Sequence, residues 1–214
     1  MGANLLTPSE AAVIAGVSVR DINRVIDEKL LPEGLATTED GRRIQLAACP
    51  LVGFYFRAAR ALTAEERLLL IRRFAERITT DMADRPFAGW RKADWSVHDG
   101  FLTVSLAEFV AEADDRSARL AKAQDMVVED PAILGGTPVI RGTRIPVHDV
   151  LASVTAGMSR ERILAAYPGL DEVMLDLAVL YAEANPVRGR PRRLAALPAD
   201  AVVTAERKVA RRRR

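Results

Sequence analysis

Apolar and polar positions fall into a helical rhythm from the first few residues. Thr7-Pro8-Ser9-Glu10 is a helix start: a hydroxyl suited to the N-cap, a proline at the first helical position, and a glutamate three residues on that completes a capping box. Ala11 to Ala15 follow, and Gly16 closes the helix. Val17 places one apolar residue in the turn. Ser18 then caps a second helix with Ile22, Val25 and Ile26 at i, i+3, i+4 spacing. Two short helices across a tight glycine-containing turn predict a helix-turn-helix. Beyond Pro32, the run Glu39-Asp40-Gly41-Arg42-Arg43-Ile44 predicts a hairpin on Asp-Gly, placed like the wing of such a module.

Residues 50–82 read as helical. Thr63-Ala64-Glu65-Glu66 is a second capping box, ahead of a stripe at Leu68, Ile71, Phe74, Ala75 and Ile78 that serves either the N-terminal module or a dimer contact. Residues 95–106 predict a hairpin about Asp99-Gly100, and a charged helix spans roughly 106–124. Next, Gly135-Gly136-Thr137-Pro138-Val139-Ile140-Arg141-Gly142-Thr143-Arg144-Ile145-Pro146-Val147 reads as a glycine-punctuated loop, a short strand, a tight turn and a return limited by Pro146. A helix to Ala156 stops at Gly157, Ser159 caps another, and Asp171 caps the last, with a stripe at Val173, Leu177, Leu180, Tyr181 and Ala184. The expected fold is mainly α: two helix-turn-helix, winged-helix-like modules with small β-hairpins and a basic C-terminal tail. Its segments are 1–85, 86–124, 125–186 and 187–214.

Composition narrows the function. With 49% apolar and 28% charged residues the chain is ordinary for a globular protein. It shows neither a signal-peptide pattern nor an apolar run near membrane length, so a cytoplasmic protein without membrane partners is expected. One cysteine, Cys49, excludes an internal disulfide, and with only His98 and His148 besides, no Cys/His zinc cluster is available. The net charge of +2 conceals an asymmetry: residues 186–214 carry +8, which leaves −6 for residues 1–185. A basic tail points to nucleic acid or an acidic protein cleft.

Candidate chemistry concentrates in the first module. Arg20, Asn23, Arg24 and Asp27 lie opposite the apolar stripe of the second helix, and Arg and Asn are the side chains that read guanine and adenine edges. Arg42 and Arg43 in the wing are placed to meet phosphates. Arg160 and Arg162 are weaker candidates, with Asp171 and Glu172 nearby. Arg141 and Arg144 read as structural, Arg144 bracing a helix end or a carboxylate. Trp90 and Trp95 read as core or interface anchors, Cys49 as a small apolar residue, and His148 as a cap or surface contact. Without a P-loop, GxGxxG, HExxH or nucleophile elbow, neither an enzyme nor a cofactor is expected.

The segment from Gly135 to Val147, with Gly157-Met158-Ser159 and Tyr167-Pro168-Gly169-Leu170, resembles domain-of-unknown-function family 433 over about residues 125–186. That resemblance implies a winged-helix-like antitoxin of the VapB type, encoded beside a PIN-domain ribonuclease toxin. Thr7 to Pro32 resembles a MerR-type helix-turn-helix, an extension that longer antitoxins of this family carry. The implied function is an antitoxin that neutralises its toxin and represses its own operator DNA as a homodimer. Arg188, Arg190, Arg192 and Arg193 are the implied toxin-binding residues, suited to the carboxylates of a PIN active site. The alternatives are a MerR-like regulator without a toxin and a protein-interaction adaptor.

Overall fold

The computed structural model describes residues 5–81, 87–99 and 102–187. It is mainly helical, with small antiparallel strand pairs among the described residues.

The first unit begins with β1 (Leu5–Leu6), α1 (Pro8–Ala15) and α2 (Val19–Asp27). Both arms of the Thr7 capping box form: Glu10 N–H donates to Thr7 Oγ1 and Thr7 N–H to Glu10 Oε2, at 3.3 and 2.8 Å. Gly16 ends α1 at φ 67°, a left-handed conformation that a side chain would strain. Ser18 caps α2 and forms its own box with Asp21. The wing forms as β2 (Ala36–Thr37) and β3 (Arg43–Gln45), and β1 joins its other side, giving the order β1-β3-β2 with Leu6 and Ala36 both opposite Ile44. That third strand is not expected from the sequence.

Next come α3 (Cys49–Arg57) and α4 (Ala64–Asp81). Nearly every side chain of α3 is buried, including Leu51, Phe54 and Cys49, whose thiol burial holds well above its ordinary range. Gly53 lets α3 approach α1: a Cβ there would stand 2.9 Å from the carbonyl oxygen of Ala15. On α4, Ile71, Phe74, Ala75 and Ile78 are buried in the chain's own core, with Leu68 half-buried against it. Of the two uses expected for this stripe, packing within the chain is therefore the one realised.

The hairpin pairs β4 (Ser96–Asp99) with β5 (Leu102–Ser105), Val97 opposite Val104; Gly100 in its turn lies outside the described residues. Trp95 is buried beside Trp90 and donates Nε1–H to its carbonyl at 2.7 Å. The charged helix is α5 (Ala107–Met126), the spine of the molecule. Leu106, Val110, Ala113 and Leu120 belong to the first core, whereas Ala123, three residues beyond Leu120, belongs to the second.

In the second unit, β6 (Val127–Val128) pairs with β7 (Val139–Ile140), followed by α6 (Val147–Thr155), α7 (Arg160–Ala166) and α8 (Glu172–Ala184). Gly142 turns the chain at φ 75° so that Ile140 N–H reaches Ile145 O. Ser159 and Asp171 cap α7 and α8 as their positions predict. Of the apolar stripe expected on α8, Tyr181 and Ala184 are buried and Leu177 and Leu180 are half-buried against the second core, but Val173 needs correction: it is 67% exposed, and Leu175, Ala178 and Ala182 complete the buried face. Helix α8 packs on α5, α6 and α1, and its Ala184 reaches into the first core. No helix among the described residues is long and apolar enough to cross a membrane.

Candidate nucleic-acid interface

Ile22, Val25 and Ile26 turn one side of α2 into the core, which leaves Arg20, Asn23, Arg24 and Asp27 on its outer side. Helix α2 is held to the body through its partner α1. Arg116 of α5 donates to the carbonyl of Ile14 at 3.4 Å and to Glu112 at 3.0 Å, so a cation lies over the carbonyl end of α1. The spine thereby fixes the helix that fixes α2.

The outward residues are in different states. Arg20 is exposed and has no hydrogen-bond or ion-pair partner among the described residues. Arg24 pairs with Glu28 one turn along α2 at 2.9 Å, a half-exposed contact worth little against water. Arg42 does not point away from the body as a free wing cation: its Nη1 donates to Asn23 Oδ1 at 2.9 Å and its Nη2 to Asp27 Oδ1 at 2.7 Å. Arg43 donates Nη1–H to the carbonyl of Arg42 at 3.0 Å. The wing is thus tied to α2 by one guanidinium spanning two residues four apart on the helix. Sequence reasoning missed this link, although Asp27, one turn beyond Asn23 and facing the wing, was its signal.

The electrostatics of the surface are balanced. Residues 19–43 carry five cations (Arg20, Arg24, Lys29, Arg42 and Arg43) against six carboxylates. Long-range attraction to phosphate is therefore weak here.

The remaining candidates stand in different settings. Arg141 donates Nε–H and Nη2–H to the carbonyl of Asp125 at 3.1 and 2.7 Å, capping the end of α5, so Arg141 and not Arg144 braces a helix end. Arg160 pairs with Asp176 at 2.8 Å, and Arg162 is exposed. His148 is half-buried in the first turn of α6. Tyr181 donates to Glu129 at 3.0 Å, and burial together with that carboxylate pushes its phenol up to about 12. Arg188, Arg190, Arg192 and Arg193 lie outside the described residues. No group of three or more His, Cys, Asp or Glu among the described residues is arranged to hold a metal ion.

Residues 127–182 match the family described as "Protein of unknown function (DUF433)". Over 212 residues the chain is 50% identical to the uncharacterized protein y4eO of Sinorhizobium fredii, covering 99% of this chain and 96% of that one. The X-ray crystal structure of Rv2018 from Mycobacterium tuberculosis aligns over 81% of this chain and 96% of its own, at 20% identity and a TM-score of 0.32, too low to support any argument about fold. At half its residues identical over nearly its whole length, the chain belongs to the family of this Sinorhizobium protein, and it carries a DUF433 domain at residues 127–182.

Proposed function

We propose that the protein is a DNA-binding antitoxin: α2 and the wing bind operator DNA, and the DUF433 domain with the basic tail binds and neutralises a PIN-domain ribonuclease toxin. It is a binding protein rather than an enzyme, it acts in the cytoplasm, and it reads its operator as a homodimer. The observation that carries the DNA half is the outer side of α2, where the exposed Arg20 and the half-buried Asn23 lie off the buried stripe of Ile22, Val25 and Ile26, beside a three-stranded wing. The toxin half draws its support from the family resemblance of the Gly135 to Val147 motif and from the +8 charge of residues 186–214. Because the α4 stripe is used inside the chain, the homodimer needs another face. Two measurements test the proposal: a gel shift on the protein's own upstream DNA, and co-purification with the product of the neighbouring gene. A shifted duplex and a co-purified ribonuclease are expected; absence of both overturns it.

A second reading, an adaptor that binds protein and never DNA, is favoured by one observation. Six carboxylates against five cations on residues 19–43 is an unusual balance for a phosphate-facing surface. In that case the gel shift fails while the neighbouring product still co-purifies.

A further inference from the structure

We infer that Arg42 sets which base Asn23 reads, matching α2 to a carbonyl-bearing base, guanine or thymine, instead of adenine. The inference deepens the DNA-binding reading and rests on it. Asparagine reads adenine with both ends of its amide, the oxygen accepting from the N6 amino group while the nitrogen donates to N7. In this protein Asn23 Oδ1 already accepts from Arg42 Nη1 at 2.9 Å. The orientation of that amide is dictated by chemistry, because a guanidinium has only donors and so must face the oxygen. The guanidinium is placed by two residues of α2 at once, since Asp27 accepts from its Nη2 at 2.7 Å while Asn23 accepts from Nη1.

With Arg42 Nη1 already on Oδ1, the adenine amino group would have to share that oxygen with a guanidinium seated against it, which weakens the paired contact adenine needs. The Asn23 amino group keeps two N–H bonds, and these need acceptors. In the major groove guanine presents two, N7 and O6, and thymine presents O4, whereas adenine offers N7 alone beside a donor amino group. Asp27 completes the device by accepting from the other arm of the guanidinium, which keeps it on the helix rather than on a backbone phosphate. Arg42 is therefore a positioning residue, acting on sequence choice through Asn23.

The test is selection of bound duplexes from a randomised pool by the full-length protein, by its Asn23→Ala variant and by its Arg42→Met variant. The parent should enrich guanine or thymine at one position whose preference vanishes in Asn23→Ala. In Arg42→Met, where Oδ1 is released, the same position should turn toward adenine by about tenfold while other positions keep their preference. Adenine at that position in the parent, an unchanged preference in Arg42→Met, or an Asn23→Ala profile identical to the parent's would each overturn the inference. Should Arg42→Met fail to fold, Asp27→Asn takes its place: it loosens Arg42 from α2 and should turn the same position toward adenine, and an unchanged preference there overturns the inference. Enrichment of no duplex at all is a different result, since it removes the DNA-binding reading itself.

Discussion

Replacing Gly53 by alanine opposes two effects whose sizes the structure allows to be compared. Alanine is the better helix former by about 0.5–1 kcal/mol, so propensity alone predicts a gain. The new methyl group would stand 2.9 Å from the Ala15 carbonyl oxygen and 3.4 Å from Cδ1 of Phe109. The first of these is a backbone atom at the end of α1 and has no rotamer through which to yield. Relief requires α3 to move away from α1, and forced overpacking of this kind costs about 1–3 kcal/mol. The steric cost wins: a net loss of roughly 0.5–2 kcal/mol, or a Tm lower by roughly 1–8 °C for a chain of this size. Gly89, where a Cβ would meet nothing within 4 Å, is the control, and Gly89→Ala should be neutral or slightly stabilising. Thermal unfolding followed by circular dichroism reads both. An unchanged or raised Tm for Gly53→Ala would refute the claim that close approach of α3 holds α1, and with it α2, in place.

Two further predictions concern charge and pH. Arg20→Ala removes the unpaired guanidinium of α2 and should cost about 1–3 kcal/mol on the selected duplex with little loss on scrambled DNA, whereas Arg43→Ala should weaken all duplexes alike and lower the salt slope by about one; fluorescence anisotropy across a salt series separates them. The Tyr181 phenol is raised by burial and by its bond to Glu129, so its contribution to stability is complete below the ordinary tyrosine value near 10 and is lost as pH rises toward about 12. Tyr181→Phe should remove that component of the alkaline loss, read by denaturant midpoints over this window; an identical alkaline profile in the variant would refute the assignment.

The starts of helices were legible in the sequence because the physics that fixes them is local. Thr7 with Glu10, and Thr63 with Glu66, close hydrogen bonds across three residues, and Ser159 and Asp171 cap from the position their type favours. What the sequence hid is non-local. Strands β1 and β6 are two residues each, too short to show an alternation, and exist only because β3 and β7 pair with them. The face of α8 was legible only in part for another reason: Val173-Met174-Leu175 and Leu177-Ala178-Val179-Leu180-Tyr181-Ala182 are apolar nearly all round, so periodicity does not separate Val173 from Leu175. Only its packing on α5 and α6 does, and that leaves Val173 exposed. Asn23, Arg42 and Asp27 were each visible as surface residues. That Arg42 bridges the other two depends on a wing folding back across 19 residues, which no spacing rule encodes.

The placement of α5 and α8 bears on whether the two units act separately. Their cores are distinct, yet α5 supplies Leu120 to one and Ala123 to the other, while Leu180 of α8 packs against both. A helix cannot lose its packing at one end without fraying the neighbouring turn, so the cores should unfold as one cooperative body. Leu175→Ala tests this, since Leu175 is 1% exposed and belongs to the second core. A buried truncation of this type costs about 2–5 kcal/mol. If unfolding is shared, the most protected amides of α1 should exchange faster by the same factor as those of α8, about 30-fold or more for a loss of 2 kcal/mol. Unchanged exchange in α1 alongside accelerated exchange in α8 would show that the units open independently, and that α5 joins them without coupling them.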